Sequence, residues 1–344
     1  MCKTYNVDIP FYLMNSFYTD NDTKTYLNEK GYEKVRTFEQ SKCPRLDAET
    51  KLPVAAVTQN WGDDAWYPPG HGNIFESLKN SGVLDELLSD GRELIFVSNI
   101  DNTGADVSFQ ITQLMLDENV DFVMECTQKT ETDVKGGTLI DINDQMMHLE
   151  MPQVPPENLS DFCSTKVFKI FNTNNIWVNL NAINNRLPNI RSEIIVNKKN
   201  VRGREVLQLE FSIGGCIKNF HKALCVHVNR DRFRPVKNLG DLLSLRSTLC
   251  DLNTTNYKIH HNHAMGVPPI ISLDPSVYTS VEEINKRFPH PLVIKKCTQF
   301  NVIGNVRFGK NVQLSGKVTV TGKTENESYV CDNSVLVDEE YIAQ

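Results

Sequence analysis

Between residues 5 and 235, short β-rich apolar runs alternate with longer segments whose apolar residues recur at helical spacing. That alternation predicts a mostly parallel sheet covered by helices, an α/β domain. The strand candidates are Phe11 to Met14, Glu93 to Ser98, Asp121 to Glu125 and Phe168 to Phe171, each largely apolar, as strands buried on both faces are. From Ile74 to Leu88 the spacing predicts a helix, because Ile74, Phe75, Leu78, Leu84, Leu87 and Leu88 fall close to one face. Asn73 is placed to cap its start and Gly91 to end it, with Gly82 as an interruption.

From Val302 the pattern changes to two interleaved six-residue series, Val302, Phe308, Leu314, Val320 and Val306, Val312, Val318, with Gly304, Gly309 and Gly316 between them. A hexapeptide period predicts a parallel β-helix of about three coils, each turning small apolar residues inward. Two antiparallel hairpins with alternating residues are the other arrangement that could produce such a pattern. A solenoid this short has open ends, so it is expected to pack on the main domain or on another subunit.

The 344 residues suggest about two domains. With 40% hydrophobic and 23% charged residues, disorder is excluded as the main state. The net charge of −7 argues against an extended nucleic-acid surface but leaves room for a small anionic ligand. No apolar run approaches a membrane span and the N-terminus lacks a signal-peptide core, so a cytoplasmic protein with no membrane partner is expected. The nine cysteines are scattered without a Cys-x-x-Cys pair, which suits reduced thiols.

Candidate chemistry gathers at loop segments. Open α/β sheets bind ligands at the carboxyl ends of their strands, and the run Leu94 to Ser98 ends in Asn99-Ile100-Asp101-Asn102-Thr103-Gly104. Asp101 could there hold Mg2+ against a phosphate and Asn99 could meet a sugar or ribose hydroxyl; a polar turn with an Asx cap would use the same residues. In Trp66 to Gly72, glycines on both sides of His71 would let backbone approach a ligand, and the histidine could donate to a phosphate or merely pack in a proline-stiffened loop. Asp133 to Thr138 contains a Gly-Gly pair, and Phe171-Asn172-Thr173-Asn174-Asn175 sets amides and a hydroxyl directly after an apolar strand, a cluster suited to sugar hydroxyls. Arg230, Arg232, Arg234 and Lys237 form a basic focus that suits a polyphosphate or a solvated face. His260-His261-Asn262-His263 reads as loop decoration, since no second ligand pair accompanies it.

Taken together, Trp-Tyr-Pro-Pro-Gly-His-Gly (66 to 72), Phe-Val-Ser-Asn-Ile-Asp-Asn (96 to 102), Asp-Val-Lys-Gly-Gly-Thr (133 to 138), Phe-Lys-Ile-Phe-Asn-Thr-Asn-Asn (168 to 175) and Arg-Phe-Arg-Pro-Val-Lys (232 to 237) resemble, in order and spacing, the UDP-glucose pyrophosphorylase family. The resemblance runs from Pro10 to Val312. It implies an α/β nucleotide-sugar transferase domain with a Rossmann-like mixed sheet over 1–240, a connecting segment over 241–295, and a C-terminal left-handed parallel β-helix over 296–344 through which the chain forms homo-oligomers. The implied substrates are UTP and glucose 1-phosphate, and the implied cofactor is Mg2+. By position, Gln40 and Gly70 would contact the uridine nucleotide, His71 and Asn174 the glucose phosphate, and Asn99 the ligand near Asp101. Asp101 would be the metal ligand and Lys237 the catalytic cation.

Two departures accompany the matches. The family places a Gly-rich loop with an internal Lys before the segment that begins here near Ile9-Pro10, and this chain has no Gly before Gly31. An N-terminally truncated enzyme lacking its first strand and phosphate-cradling loop is therefore expected. A noncatalytic subunit that assembles with full-length enzyme through the β-helix is the alternative. In Glu210-Phe211-Ser212 the family usually has a Thr directly after the Glu, which reads as a packing change.

Overall fold

The computed structural model describes residues 5–130, 133–143, 145–253, 259–262, 268–323 and 326–344. The chain divides into two units: Asp8–Asn99 with Asp106–Arg230, and Ile100–Ala105 with Asp231–Gln344 and the N-terminal Met1–Val7.

In the first unit, β1 (Phe11–Asn15) and β2 (Val35–Glu39) pair in parallel across helix α1 (Asp20–Glu29). The segment expected as one helix is two, α2 (Ile74–Asn80) and α3 (Val83–Ser89). The break falls at Gly82, whose φ of +80° is left-handed and open to glycine at little cost. The apolar face survives the break, with Ile74, Phe75, Leu78, Leu84 and Leu87 all buried. Asn73 does precede the first turn, but its side chain accepts from Ser41 N–H (2.8 Å) and Ser77 Oγ (2.7 Å) instead of capping the helix. Gly91 (φ +70°) closes the far end.

A four-stranded sheet follows, built from β3 (Leu94–Val97), β4 (Phe122–Gln128), β7 (Ile170–Asn179) and β10 (Ala223–His227) in the order β10-β4-β7-β3, with helix α4 (Phe109–Asp117) between β3 and β4 in the chain. A hairpin of β5 (Thr138–Ile142) and β6 (Gln145–Leu149) separates β4 from β7. Helix α5 (Leu180–Arg186) and the antiparallel pair β8 (Ile194–Val201) and β9 (Arg204–Phe211) precede β10. Strand β10 is parallel to β4, whereas β7 runs antiparallel to both β4 and β3. The sheet is mixed and not mostly parallel, because apolar runs record burial and carry no sign of strand direction.

Strand β7 also runs well beyond the Phe168 to Phe171 read from the sequence. Ile176, Trp177 and Val178 beyond the asparagines are buried and pull the whole segment into the sheet. The pairing with β4 shifts register between Asn172 and Ile176, a bulge that carries the polar cluster inside the strand and not after it.

The second unit holds α6 (Leu239–Leu245), β11 (Ile270–Leu273), α7 (Val281–Arg287), β12 (Val293–Ile303), β13 (Val306–Phe308), β14 (Gln313–Thr321), β15 (Ser328–Val330), β16 (Val335–Val337) and β17 (Glu340–Ile342). Strands β11, β12, β14 and β16 form a sheet in that order with β17 also on β14, and β13 pairs with β15. Each of these pairings is parallel, so antiparallel hairpins are excluded. Every residue of both six-residue series is buried. Phe308, second in its series, stacks on Phe288 at 4.7 Å and meets Phe300 edge-on at 5.7 Å.

Among the described residues no helix is long and apolar enough to cross a membrane. His263 lies outside the described residues; the backbone of Ile259–His261 pairs with Cys250–Leu252 as a short antiparallel ladder and is not a loop.

Candidate active site

Glycines set one cluster of candidate residues in the first unit. At Gly70 (φ +95°) a Cβ would stand 3.0 Å from Phe211 O, and at Gly72 one would stand 2.7 Å from Phe211 C, so only glycine lets this loop lie against the end of β9. Gly70 N–H donates to Gln40 Oε1 at 3.2 Å, which ties together the two positions matched to the nucleotide. Ile213 N–H donates to His71 Nδ1 at 3.2 Å. Nδ1 is thereby the acceptor of the neutral ring, and the proton sits on Nε2.

The bulge of β7 sets an amide cluster. Asn174 takes a left-handed φ of +61°, uncommon outside glycine but tolerated by asparagine. Its N–H donates to Asn172 Oδ1 (2.8 Å) and its Nδ2 to Asn99 Oδ1 (3.2 Å), so Asn99 and Asn174, distant in sequence, meet in one cluster. Underneath lies Glu125 of β4, fully buried. Its carboxylate accepts from Asn175 Nδ2 (3.0 Å) and Trp177 Nε1 (2.8 Å), its main-chain carbonyl accepts from Thr173 Oγ1 (2.8 Å), and Ser98 Oγ donates to Asn175 Oδ1 (2.8 Å).

The end of the β5–β6 hairpin adds His148 and Glu150, which the sequence reading missed. His148 is buried and its ring Nδ1 lies 3.6 Å from Glu150 Oε1. Burial, with a smaller contribution from neighbouring His71, pushes the His148 imidazole down to about 4, with Glu193 opposing. Burial pushes the Glu150 carboxyl up, and the hydroxyl of Ser212, 3.3 Å away, pulls it back. Ser212 thus joins the polar cluster. The Gly136-Gly137 pair packs beneath: a Cβ at Gly136 would stand 2.9 Å from the Phe171 ring, and one at Gly137 2.5 Å from His148 Nε2. A lone histidine and a lone glutamate in an otherwise ordinary hairpin give no spacing signal; a carboxylate inside the apolar run Phe122 to Cys126 does, and Glu125 could have been found by it.

The second unit carries the ionic pair. Residues 100–105 and 231–237 are laced together by Val236 N–H to Asp101 O (2.9 Å), Thr103 N–H to Arg234 O (3.0 Å) and Arg234 N–H to Asn102 Oδ1 (2.8 Å). A Cβ at Gly104 would stand 2.4 Å from Asp231 O, which explains the glycine. Lys237 N–H is held by Asp241 Oδ2 (2.8 Å) just ahead of α6, whose cap is Asn238. Lys237 Nζ reaches Asp101 Oδ2 at 2.5 Å. The Asx turn that competed for Asp101 is made by its neighbour: Asn102 Oδ1 accepts from Gly104 N–H at 3.1 Å. Asp101 Oδ1 is left buried without a hydrogen-bond partner.

That orphaned oxygen is what a divalent cation would satisfy. Mg2+ is characteristically bound through one or two carboxylates, the remaining positions going to phosphate oxygens and water, so a single aspartate suffices. Among the described residues no group of three or more His, Cys, Asp or Glu side chains is arranged to hold a metal by protein ligands alone. The basic run read as one focus is divided: Arg230 pairs with Asp133 (2.7 Å) in the first unit, Arg234 with Asp231 in the second, and Lys237 alone of the run meets Asp101.

The family model described as UTP–glucose-1-phosphate uridylyltransferase matches residues 1–315. A probable UTP–glucose-1-phosphate uridylyltransferase from Schizosaccharomyces pombe is 40% identical over 342 residues, covering 97% of this chain and 67% of that protein. The UTP–glucose-1-phosphate uridylyltransferase of Pyrus pyrifolia is 42% identical, covering 98% and 72%. Among solved structures, the UDP-glucose pyrophosphorylase of Leishmania major superposes with a TM-score of 0.83 at 30% identity, covering 97% of this chain and 75% of that one. A UDP-glucose phosphorylase from Trypanosoma brucei gives 0.84 at 31%, covering 100% and 76%. With the family model matched over most of its length and the mixed α/β fold shared, the chain belongs to the UTP–glucose-1-phosphate uridylyltransferase family.

Proposed function

We propose that this chain transfers the uridylyl group of UTP to glucose 1-phosphate, giving UDP-glucose and pyrophosphate. The observation that carries the reading is the family match over residues 1–315, and each of the relatives named above is an enzyme. The chemistry is one displacement. A phosphate oxygen of glucose 1-phosphate attacks the α-phosphorus of UTP, the bond from that phosphorus to the bridging oxygen breaks, and pyrophosphate departs with the electron pair. No group of the chain need form a covalent bond, so catalysis rests on positioning and on neutralising charge.

The side chains divide that work. Gln40 and Gly70 hold the nucleotide, His71 donates from Nε2 to the sugar phosphate, and Asn174 with Asn99 receives sugar hydroxyls. Lys237 supplies positive charge to the phosphates as pyrophosphate forms. Asp101 Oδ1 would hold Mg2+, which when bound screens the phosphates' charge. The nucleotidyltransferase domain is assigned to 1–240, the connecting segment to 241–295 and a left-handed β-helix to 296–344, the last supported by its parallel pairing and buried six-residue series. Its open end is the surface through which copies of the chain would associate.

The test is pyrophosphate release by the purified chain. Release is expected only when UTP, glucose 1-phosphate and Mg2+ are all present, and it should stop on chelation. In Asp101→Ala it should fall about 10²-fold or more, the loss typical of removing one group that stabilises transition-state charge. Release from UTP without the sugar phosphate would contradict the assignment.

A further inference from the structure

His148 belongs to none of the roles above, yet it is the most deeply enclosed ionisable ring of the sugar side, with a side chain 1% exposed. Two glycines clamp it: a Cβ at Gly137 would stand 2.5 Å from Nε2, and one at Gly214 2.7 Å from Nδ1. The ring therefore has one position. Its proton is located by its neighbour. Asn172 Oδ1 already accepts the N–H of Asn174 at 2.8 Å, which fixes the orientation of that amide and turns Nδ2 toward His148 Nε2, 3.4 Å away. An amide NH2 can only donate, so Nε2 must be the acceptor and Nδ1 must carry the hydrogen. Nδ1 has no hydrogen-bond partner and points at Glu150 Oε1, 3.6 Å distant.

A chain of polar contacts results, from Glu150 through His148 and Asn172 to Asn174 and on to Asn99. We propose that His148 is a positioning residue for the sugar phosphate: its Nε2 holds the amide of Asn172, and through it fixes the left-handed Asn174 and its bond to Asn99. The inference rests on the proposed transfer reaction and goes beyond it by assigning a residue that touches no substrate. A leucine of similar volume would fill the same space between the glycines but leave Asn172 Nδ2 without its acceptor.

The test compares His148→Leu, His148→Gln and His148→Asn in steady-state kinetics of UDP-glucose formation. A glutamine amide oxygen reaches the place of Nε2, whereas an asparagine oxygen reaches only that of Nδ1. The leucine variant should raise KM for glucose 1-phosphate about tenfold, the order expected for one buried hydrogen bond, with KM for UTP within about twofold of the unmodified chain. The glutamine variant should recover most of the loss and the asparagine variant should not. An unchanged sugar KM in the leucine variant, a parallel rise for both substrates, or equal rescue by glutamine and asparagine would overturn the proposal. If the unmodified chain makes no UDP-glucose, the transfer reaction itself is refuted. The inference then stands or falls on ¹⁵N-histidine NMR, where the signal lost in His148→Gln must belong to a neutral ring protonated at Nδ1. A proton on Nε2 overturns it.

Discussion

Replacing Lys237 with alanine is expected to lower kcat for UDP-glucose formation by about 10² to 10³, while leaving the fold intact. The pair Lys237–Asp101 lies near the surface, its side chains 58% and 28% exposed, and exposed ion pairs contribute only about 0–1 kcal/mol to stability. The loss is therefore one of chemistry. With Asp241 holding its N–H and Val236 bonded to Asp101 O, the backbone on both sides of the ammonium stays in place when the side chain is cut back. What disappears is the charge proposed to meet the departing pyrophosphate. Lys237→Arg should recover little, because a planar guanidinium does not reproduce the compact ammonium beside Asp101. Steady-state rates with saturating UTP and glucose 1-phosphate, with circular dichroism as the check on folding, decide the matter. A variant retaining more than about a tenth of kcat would remove Lys237 from the catalytic role.

The largest loss of stability is expected at Glu125, where Glu125→Gln should cost about 2–3 kcal/mol. The carboxylate is fully buried and accepts from Trp177 Nε1 at one oxygen and from Asn175 Nδ2 at the other. A glutamine offers one oxygen and one NH2, so one of those donors must face another donor in an interior where water cannot substitute. Asn175 lies next to the left-handed Asn174, so the same change should loosen the bulge and raise KM for glucose 1-phosphate more than for UTP. Urea unfolding followed by tryptophan fluorescence reads the first effect, Trp177 being bonded to the altered group. A midpoint unchanged from that of the parent chain would show that the carboxylate is not the anchor of the bulge.

Much of this architecture was legible where a short repeat or a long apolar face carried it. The six-residue series pointed to parallel strands that return an apolar residue to the same interior position, and the pairings there are parallel with every one of those residues buried. Helix α2 and α3 were legible as an apolar face, and the break came from one glycine whose conformation is not dictated by composition. Strand β7 was read too short because asparagines resemble loop residues until the buried Ile176, Trp177 and Val178 beyond them are placed in the sheet. The order and direction of the strands in the four-stranded sheet were not visible in its apolar runs. At the site, Asp101 competed with a turn that its neighbour Asn102 makes, and only the pairing with Lys237, 136 residues away, separates the two uses. Arginines that looked like one focus in the sequence found separate carboxylates in space. Glu125 and Trp177, 52 residues apart, show why such partners elude a reading along the chain.

The direct transfer between two bound substrates is tested most sharply by the stereochemistry at phosphorus. UTP made chiral at its α-phosphorus by sulfur substitution is given to the 344-residue chain with glucose 1-phosphate and Mg2+, and the configuration of the product is read. A single in-line displacement, with Lys237 and the Asn99–Asn174 cluster only positioning and neutralising, requires a UDP-glucose analogue inverted at that phosphorus. Retention, which demands a covalent uridylyl-enzyme and two displacements, would contradict it, as would the absence of any UDP-glucose from the folded chain.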